Sequence, residues 1–178
     1  SVNREMRSGL SALIVAFTLH VASGGNSYAA DFRKGLKAYD ARDFVTALRE
    51  WRELAEQGDA NAQTNLGLMY DSGKGITQNY KKAVRWYSGA AEQGHTTSQF
   101  NLGLMYENGK GVTQDNIEAA KWYHKAAEQG HGNAQVKLGL MYENGKGVTQ
   151  DNIEATKWYR KAAEQMHAGA QFSLGVMY

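Results

Sequence analysis

The chain has 178 residues with no Pro and no Cys, 42% of them hydrophobic, and a formal charge of +2 from 20 basic and 18 acidic side chains. Lys and Glu are interleaved rather than clustered, which gives no electrostatic footprint for nucleic acid, and the lack of Cys excludes a thiol nucleophile. The length suits one domain of ordinary size, but one stretch is written three times, so a single globular core is not expected.

Residues 1–30 stand outside the repeat. Arg7 precedes an apolar run from Leu10 to Ala22, and Ser27-Tyr28-Ala29 then offers a small-x-small pattern before Ala30-Asp31. The run is too short to span a bilayer comfortably, so the expectation is a secretory signal that starts at Met6 and is cleaved after Ala29. Ser1 to Glu5 would then lie upstream of the initiator, and the mature protein would reside in the periplasm or outside the cell. The absence of Cys is compatible with either side of the membrane. The competing reading, a cytosolic N-terminal helix, suffers from Gly24, Gly25 and Asn26, which would interrupt it and leave Leu13, Ile14 and Phe17 without a partner.

Residues 31–61 form an opening helical hairpin. Phe32, Leu36 and Tyr39 share one helix face, and Phe44, Ala47, Leu48, Trp51, Leu54 and Ala55 share the next. The short linker from Asp40 to Asp43 suggests a tetratricopeptide-like unit acting as the N-terminal cap.

Three repeats follow at 62–97, 98–133 and 134–169. Leu66, Leu102 and Leu138 stand 36 residues apart, and the stretch Leu102–His131 differs from Leu138–His167 only at Ala120/Thr156, His124/Arg160 and Gly130/Met166. Within one repeat, Ala134, Leu138, Met141 and Tyr142 fall at i, i+4, i+7 and i+8, the stripe of a first helix, A. Ala119, Trp122, Tyr123, Ala126 and Ala127 make the stripe of a second helix, B. Asp115 is placed to cap helix B, with Glu118 reaching back to complete a capping box. Gly94 and Gly130 close helix B in a left-handed turn, whereas Met166 in that place predicts roughly 1 kcal/mol of strain. Gly103 and the pair Ala126-Ala127 let the two helices approach, and Trp122 and Tyr123 fill the remaining space. One such hairpin cannot bury both of its apolar faces, so the copies must stack. Residues 170–178, with Leu174, Gly175, Met177 and Tyr178, read as the helix A of a further repeat that lacks its helix B. A solenoid ordinarily ends in a polar cap, so the expectation is a fragment of a longer array or self-association through Leu174 and Tyr178. The fold class is all-α, with nine helices and no strand.

The residue patterns offer little chemistry. His95, His131 and His167 recur once per repeat, but stacked helices lie about 8–10 Å apart, too far for ligands that must sit near ~2 Å from one metal, so these residues read as turn residues capping the following helix A. The Gly-Lys-Gly loops at Gly73, Gly109 and Gly145 lack the Ser or Thr of a phosphate-binding loop and follow a helix instead of a strand, which leaves turn chemistry with positive φ. Trp86, Trp122 and Trp158 fall on the buried stripe and read as core instead of a carbohydrate-stacking row. Neither Ser-x-x-Lys nor His-Glu-x-x-His is present. No catalytic, cofactor-binding or metal-ligating residue is therefore expected.

The candidate site is a face of helix A beside the core stripe. It carries Asn61, Asn65, Leu68 and Ser72, then Asn101, Leu104 and Asn108, then Lys137, Leu140 and Asn144. A Leu at the same place in each copy, bordered by amides, has the composition of a peptide-binding surface. Packing of these Leu residues between repeats is the alternative.

The blocks Leu102-Gly103-Leu104-Met105-Tyr106, Gly109-Lys110-Gly111-Val112, Trp122-Tyr123 and Ala126-Ala127-Glu128-Gln129-Gly130 resemble the Sel-one-like repeat, a relative of the tetratricopeptide repeat, over Ala62 to Tyr178. The resemblance implies a right-handed superhelix of antiparallel helical hairpins that serves as a scaffold or adaptor, often in bacterial envelopes, and no common catalytic residue. Its expected partner is an envelope protein or peptide held in the concave helix A surface. A regulatory or assembly role by self-association is the alternative, and binding or hydrolysis of β-lactams or peptidoglycan fragments is a more remote one, implied only by some secreted relatives. Those relatives that staple each hairpin with a disulfide are a poor guide to a chain without Cys.

Overall fold

The structure, a computed structural model, describes residues 32–165. The expected signal segment, Met166, His167, Leu174 and Tyr178 lie outside these residues, as does the ninth helix expected after them. The described residues form eight α-helices and no strand: α1 (32–40), α2 (Phe44–Glu56), α3 (Ala60–Ser72), α4 (Tyr80–Glu92), α5 (Thr96–Asn108), α6 (Asn116–Glu128), α7 (Gly132–Asn144) and α8 (Asn152–Glu164). Each element packs on the next in chain order, so hairpins stack along one axis. None of the described helices is long and apolar enough to cross a membrane.

Local chemistry sets the helix ends. The Asp115 carboxylate accepts from the backbone N–H of Ile117 and Glu118 at 2.9 and 3.0 Å, as an N-cap should. The expected capping box does not close. Asp115 N–H already donates to the Tyr106 carbonyl at 3.0 Å, and the Glu118 carboxylate turns outward to Lys121 at 2.5 Å. At the other end Gln129 is the C-cap, and Gly130 behind it takes φ 85°, the left-handed residue that lets the last carbonyls bond without a Cβ clash.

A missing side chain fixes the distance between helices A and B. A Cβ on Gly103 would lie 2.6 Å from two ring carbons of Tyr123, and Gly67 and Gly139 would meet Tyr87 and Tyr159 at 2.5 Å. The three tyrosines are fully buried on these glycines, so each hairpin is a ring seated on bare backbone. The tryptophans one position earlier all pack on core clusters, but not to the same depth. Trp158 is buried, whereas Trp86 and Trp122 are half-buried, with Arg85 and Lys125 over their rings at 5.8 and 4.0 Å. One residue along a helix turns a side chain through about 100°, which moves Trp from the hairpin interior to the seam between repeats.

The seam is as continuous as the hairpin. Ala119, Tyr123 and Ala126 of α6, Ala134, Leu138 and Met141 of α7, and Trp158 of α8 belong to one buried cluster that crosses the repeat boundary. The second glycine of each Gly-Lys-Gly loop makes the close approach there. A Cβ on Gly75 would lie 2.0 Å from the Cβ of Phe44, on Gly111 2.4 Å from the carbonyl of Tyr80, and on Gly147 2.1 Å from the carbonyl oxygen of Asn116. The loop glycines thus supply positive φ and also seat each loop on the first turn of the preceding helix B. Gly130 takes positive φ as well, but nothing lies within 4 Å of its Cβ position. Gly130→Ala should therefore cost roughly 1 kcal/mol of backbone strain, while Gly147→Ala, which must also push a backbone carbonyl aside, should cost about 2–4 kcal/mol. Urea midpoints of the two variants give the comparison.

Candidate partner-binding surface

The helices A lie side by side. Thr64 of α3 bonds Ser98 of α5 through their hydroxyls at 2.7 Å, and Lys137 of α7 donates to Glu107 of α5 at 2.9 Å. The candidate residues therefore form one row. Leu68 and Leu140 are 41% and 40% exposed. Leu104 is half-buried and packs against the cluster that joins α6 and α7. Among the polar residues, Ser72, Asn108 and Asn144 are exposed, while Asn65, Asn101 and Lys137 are half-buried.

Several of these polar groups have internal work. Ser72 Oγ donates to the Leu68 carbonyl at 2.7 Å, and Asn108 and Asn144 donate through Nδ2 to the carbonyls of Leu104 and Leu140 at 2.8 Å. These are bonds back to the carbonyl four residues earlier, which also accepts the helical N–H. What Asn108 and Asn144 present outward is their amide oxygen. The row is thus an apolar stripe bordered by hydrogen-bond acceptors, with the Lys137 charge neutralised by Glu107.

A buried ladder of glutamines went unassigned in the sequence. Gln63, Gln99 and Gln135, each under 10% exposed, donate through Nε2 to the carbonyls of Ala55, Ala91 and Ala127 at the end of the preceding helix B, at 3.1–3.2 Å. Their Oε1 atoms accept from Gln93, Gln129 and Gln165, the C-caps of their own helix B, at 2.7–3.1 Å. Each rung ties three helices with both ends of one amide, and a buried amide needs both. The signal was a Gln at the same place in all three copies, on a face that periodicity alone calls polar.

The histidines cap helix A, as their position suggests. His95 Nδ1 accepts from Ser98 N–H at 3.4 Å and His131 Nδ1 from Ala134 N–H at 3.2 Å. Both rings are therefore unprotonated at Nδ1. His95 also meets Thr64 Oγ1 at 3.1 Å and Asn61 Oδ1 at 3.2 Å, a set that resembles a hydrolytic relay only on paper, because Ser98 is completely buried. No group of three or more His, Asp or Glu gathers among the described residues in a way that could hold a metal. A cleft of about 440 Å³ beside the opening hairpin is lined by Tyr39, Asp40, Arg42, Phe44 and Lys74.

Burial holds the His95 imidazole below its ordinary value, and the charge of Asp59 offsets only part of this. A depressed folded-state value means that the stability His95 contributes is complete above its unfolded value of about 6.5 and is lost as the pH falls through the lower folded one. Thermal melts at pH 7.5 and 5 should therefore show a larger acid-induced drop in Tm for the unsubstituted chain than for His95→Asn, which keeps an N-cap acceptor but cannot titrate.

With this geometry in place, the relationships of the chain are informative. No curated protein matches it. Among solved structures it is similar to a Sel1 repeat protein from Oxalobacter formigenes, at 40% identity over 81% of this chain and 59% of that one, with a TM-score of 0.78. It is also similar to a protective antigen of uropathogenic Escherichia coli strains that displays an SLR fold, at 39% identity over 90% of this chain and 35% of that one, TM-score 0.84. Helicobacter pylori cysteine rich protein B matches at 28% identity over 68% and 87% of the two chains, TM-score 0.55. The chain thus spans about three-fifths and one-third of the first two relatives. The Sel1 repeat itself matches residues 60–95, 96–131 and 132–167, the three units tied by the glutamine ladder, and the chain belongs to the Sel1 repeat family.

Proposed function

We propose that this protein is a non-enzymatic adaptor of the bacterial cell envelope that holds a partner protein or peptide on the row formed by its helices A. The observation that carries the reading is the recurrence of a partly exposed Leu at one place on α3, α5 and α7, with Leu68 and Leu140 each about two-fifths accessible. Core packing does not require an apolar residue that accessible, and an apolar stripe rimmed by polar groups is the usual make-up of a docking surface. A stack of hairpins offers a long open surface, not the closed pocket that chemistry needs. Export is supported by the apolar run Leu10–Ala22 and the small residues Ser27 and Ala29. On that reading, mass spectrometry of protein recovered from cells should find an N-terminus at Ala30; a cytosolic form beginning at Met6 would refute it.

The surface is tested by charge. Leu68→Glu combined with Leu140→Glu should abolish retention of envelope proteins on the immobilised chain while lowering Tm by no more than a few degrees. Ile153→Glu, at a site 73% exposed on helix B, should leave retention unchanged. Leu104→Glu belongs to a different category, since a carboxylate against the packed cluster should cost several kcal/mol. If the Leu68/Leu140 pair also unfolds the array, these residues pack the repeats together and the docking assignment falls.

A further inference from the structure

The two junctions between whole repeats are built from different side chains at one equivalent place. Between the second and third repeats, the Glu107 carboxylate near the end of α5 accepts from the Tyr123 hydroxyl at 2.6 Å, from Lys137 at 2.9 Å and from Lys146 at 3.2 Å. Three donors, two of them from the next repeat, converge on one largely buried charge, and charge-assisted bonds of this kind are the strong ones. Burial opposes ionisation of Glu107, yet Tyr123, Lys137 and Lys146 together hold its carboxyl below the ordinary value.

The same four places in the preceding junction are Asp71, Tyr87, Asn101 and Lys110. Asp is one methylene shorter than Glu, and Asn101 stands where the second junction has a cation. The buried Tyr87 hydroxyl lies beside Asp71 and Asn101, but neither it nor the buried Nδ2 of Asn101 closes a hydrogen bond of normal length. Lys110 lies over the Tyr80 ring at 5.3 Å. Burial lifts the Asp71 carboxyl above its ordinary value, more than the charge of Lys110 and the nearby Tyr87 hydroxyl offset. Unpaired buried polar groups cost what paired ones do not.

The other end of each junction is also built from different side chains. Phe100 stacks on His131 across the second junction, with ring centres 4.6 Å apart and planes at 25°, where the first has a polar set instead, Thr64 with Ser98 at 2.7 Å and His95 with Thr64 and Asn61 at 3.1 and 3.2 Å. The first junction thus lacks both the ion cluster and the apolar stack.

We propose that the junction between the first and second repeats is the hinge of the array, where it opens and bends first, and that the Glu107 cluster locks the junction after it. The inference is independent of what the helix A row binds. Amide hydrogen exchange on the full chain, read by mass spectrometry, tests it. In the unsubstituted chain, α4 and the first half of α5 should exchange about tenfold faster than α6 and the first half of α7, the difference expected from one set of charge-assisted bonds. Asp71→Glu with Asn101→Lys transplants the cluster and should slow α4 and α5 about tenfold. Glu107→Asp with Lys137→Asn should speed α6 and α7 by a similar factor. Equal exchange at the two junctions of the unsubstituted chain overturns the proposal, and so do swaps that leave the rates in place. If one pair fails to fold by circular dichroism, the other pair and the gradient in the unsubstituted chain decide.

Discussion

Everything in this array hangs on tyrosine rings seated where glycine leaves the backbone bare. Tyr87, Tyr123 and Tyr159 lie flat against Gly67, Gly103 and Gly139, and that contact sets how close helices A and B stand within a hairpin. The alanines of helix B, Ala91 and Ala126-Ala127, can then line the seam with the next helix A. A methyl group at any of the three glycines would have to displace a fully buried ring. Close packing leaves no slack for that, and the displaced ring would carry the seam with it.

The seam has its own two fasteners. The second glycine of each Gly-Lys-Gly loop rests on the first turn of the preceding helix B, at one end of the helices. The glutamine ladder ties the opposite end, where Gln63, Gln99 and Gln135 bond the last carbonyls of one helix B and the C-cap of another. With both ends of the seam closed, Leu68 and Leu140 in the row on helices A stay 41% and 40% exposed, whereas Leu104 is drawn further inward. A surface left over from packing in this way is what a scaffold can vary without disturbing its fold.

Near-identity of sequence does not make equal joints. The second and third repeats are almost copies, and the first shares their backbone geometry, yet replacing Glu by Asp and Lys by Asn removes a three-donor cluster at one junction and leaves buried polar atoms unpaired. In a quasi-one-dimensional array stability is a sum of repeat and nearest-neighbour terms, so two side chains can decide where such a molecule bends.

The sequence by itself determined the 36-residue period, the helix pairs, the Asp115 and His131 caps and the glycine turns, because each depends on residues within one helical turn or loop. It also carried the resemblance that named the family. The tertiary structure alone decided what depends on partners outside the helix in question, such as the Tyr106 carbonyl that takes the Asp115 N–H from Glu118. It assigned Gln63, Gln99 and Gln135 to a buried ladder, turned Glu118 toward Lys121, set Trp86 and Trp122 at the seam, and left Leu68 and Leu140 more exposed than the half-buried Leu104. Periodicity marks which side of a helix is apolar, but how far each residue on the edge of that side is covered depends on where the neighbouring repeat comes to rest.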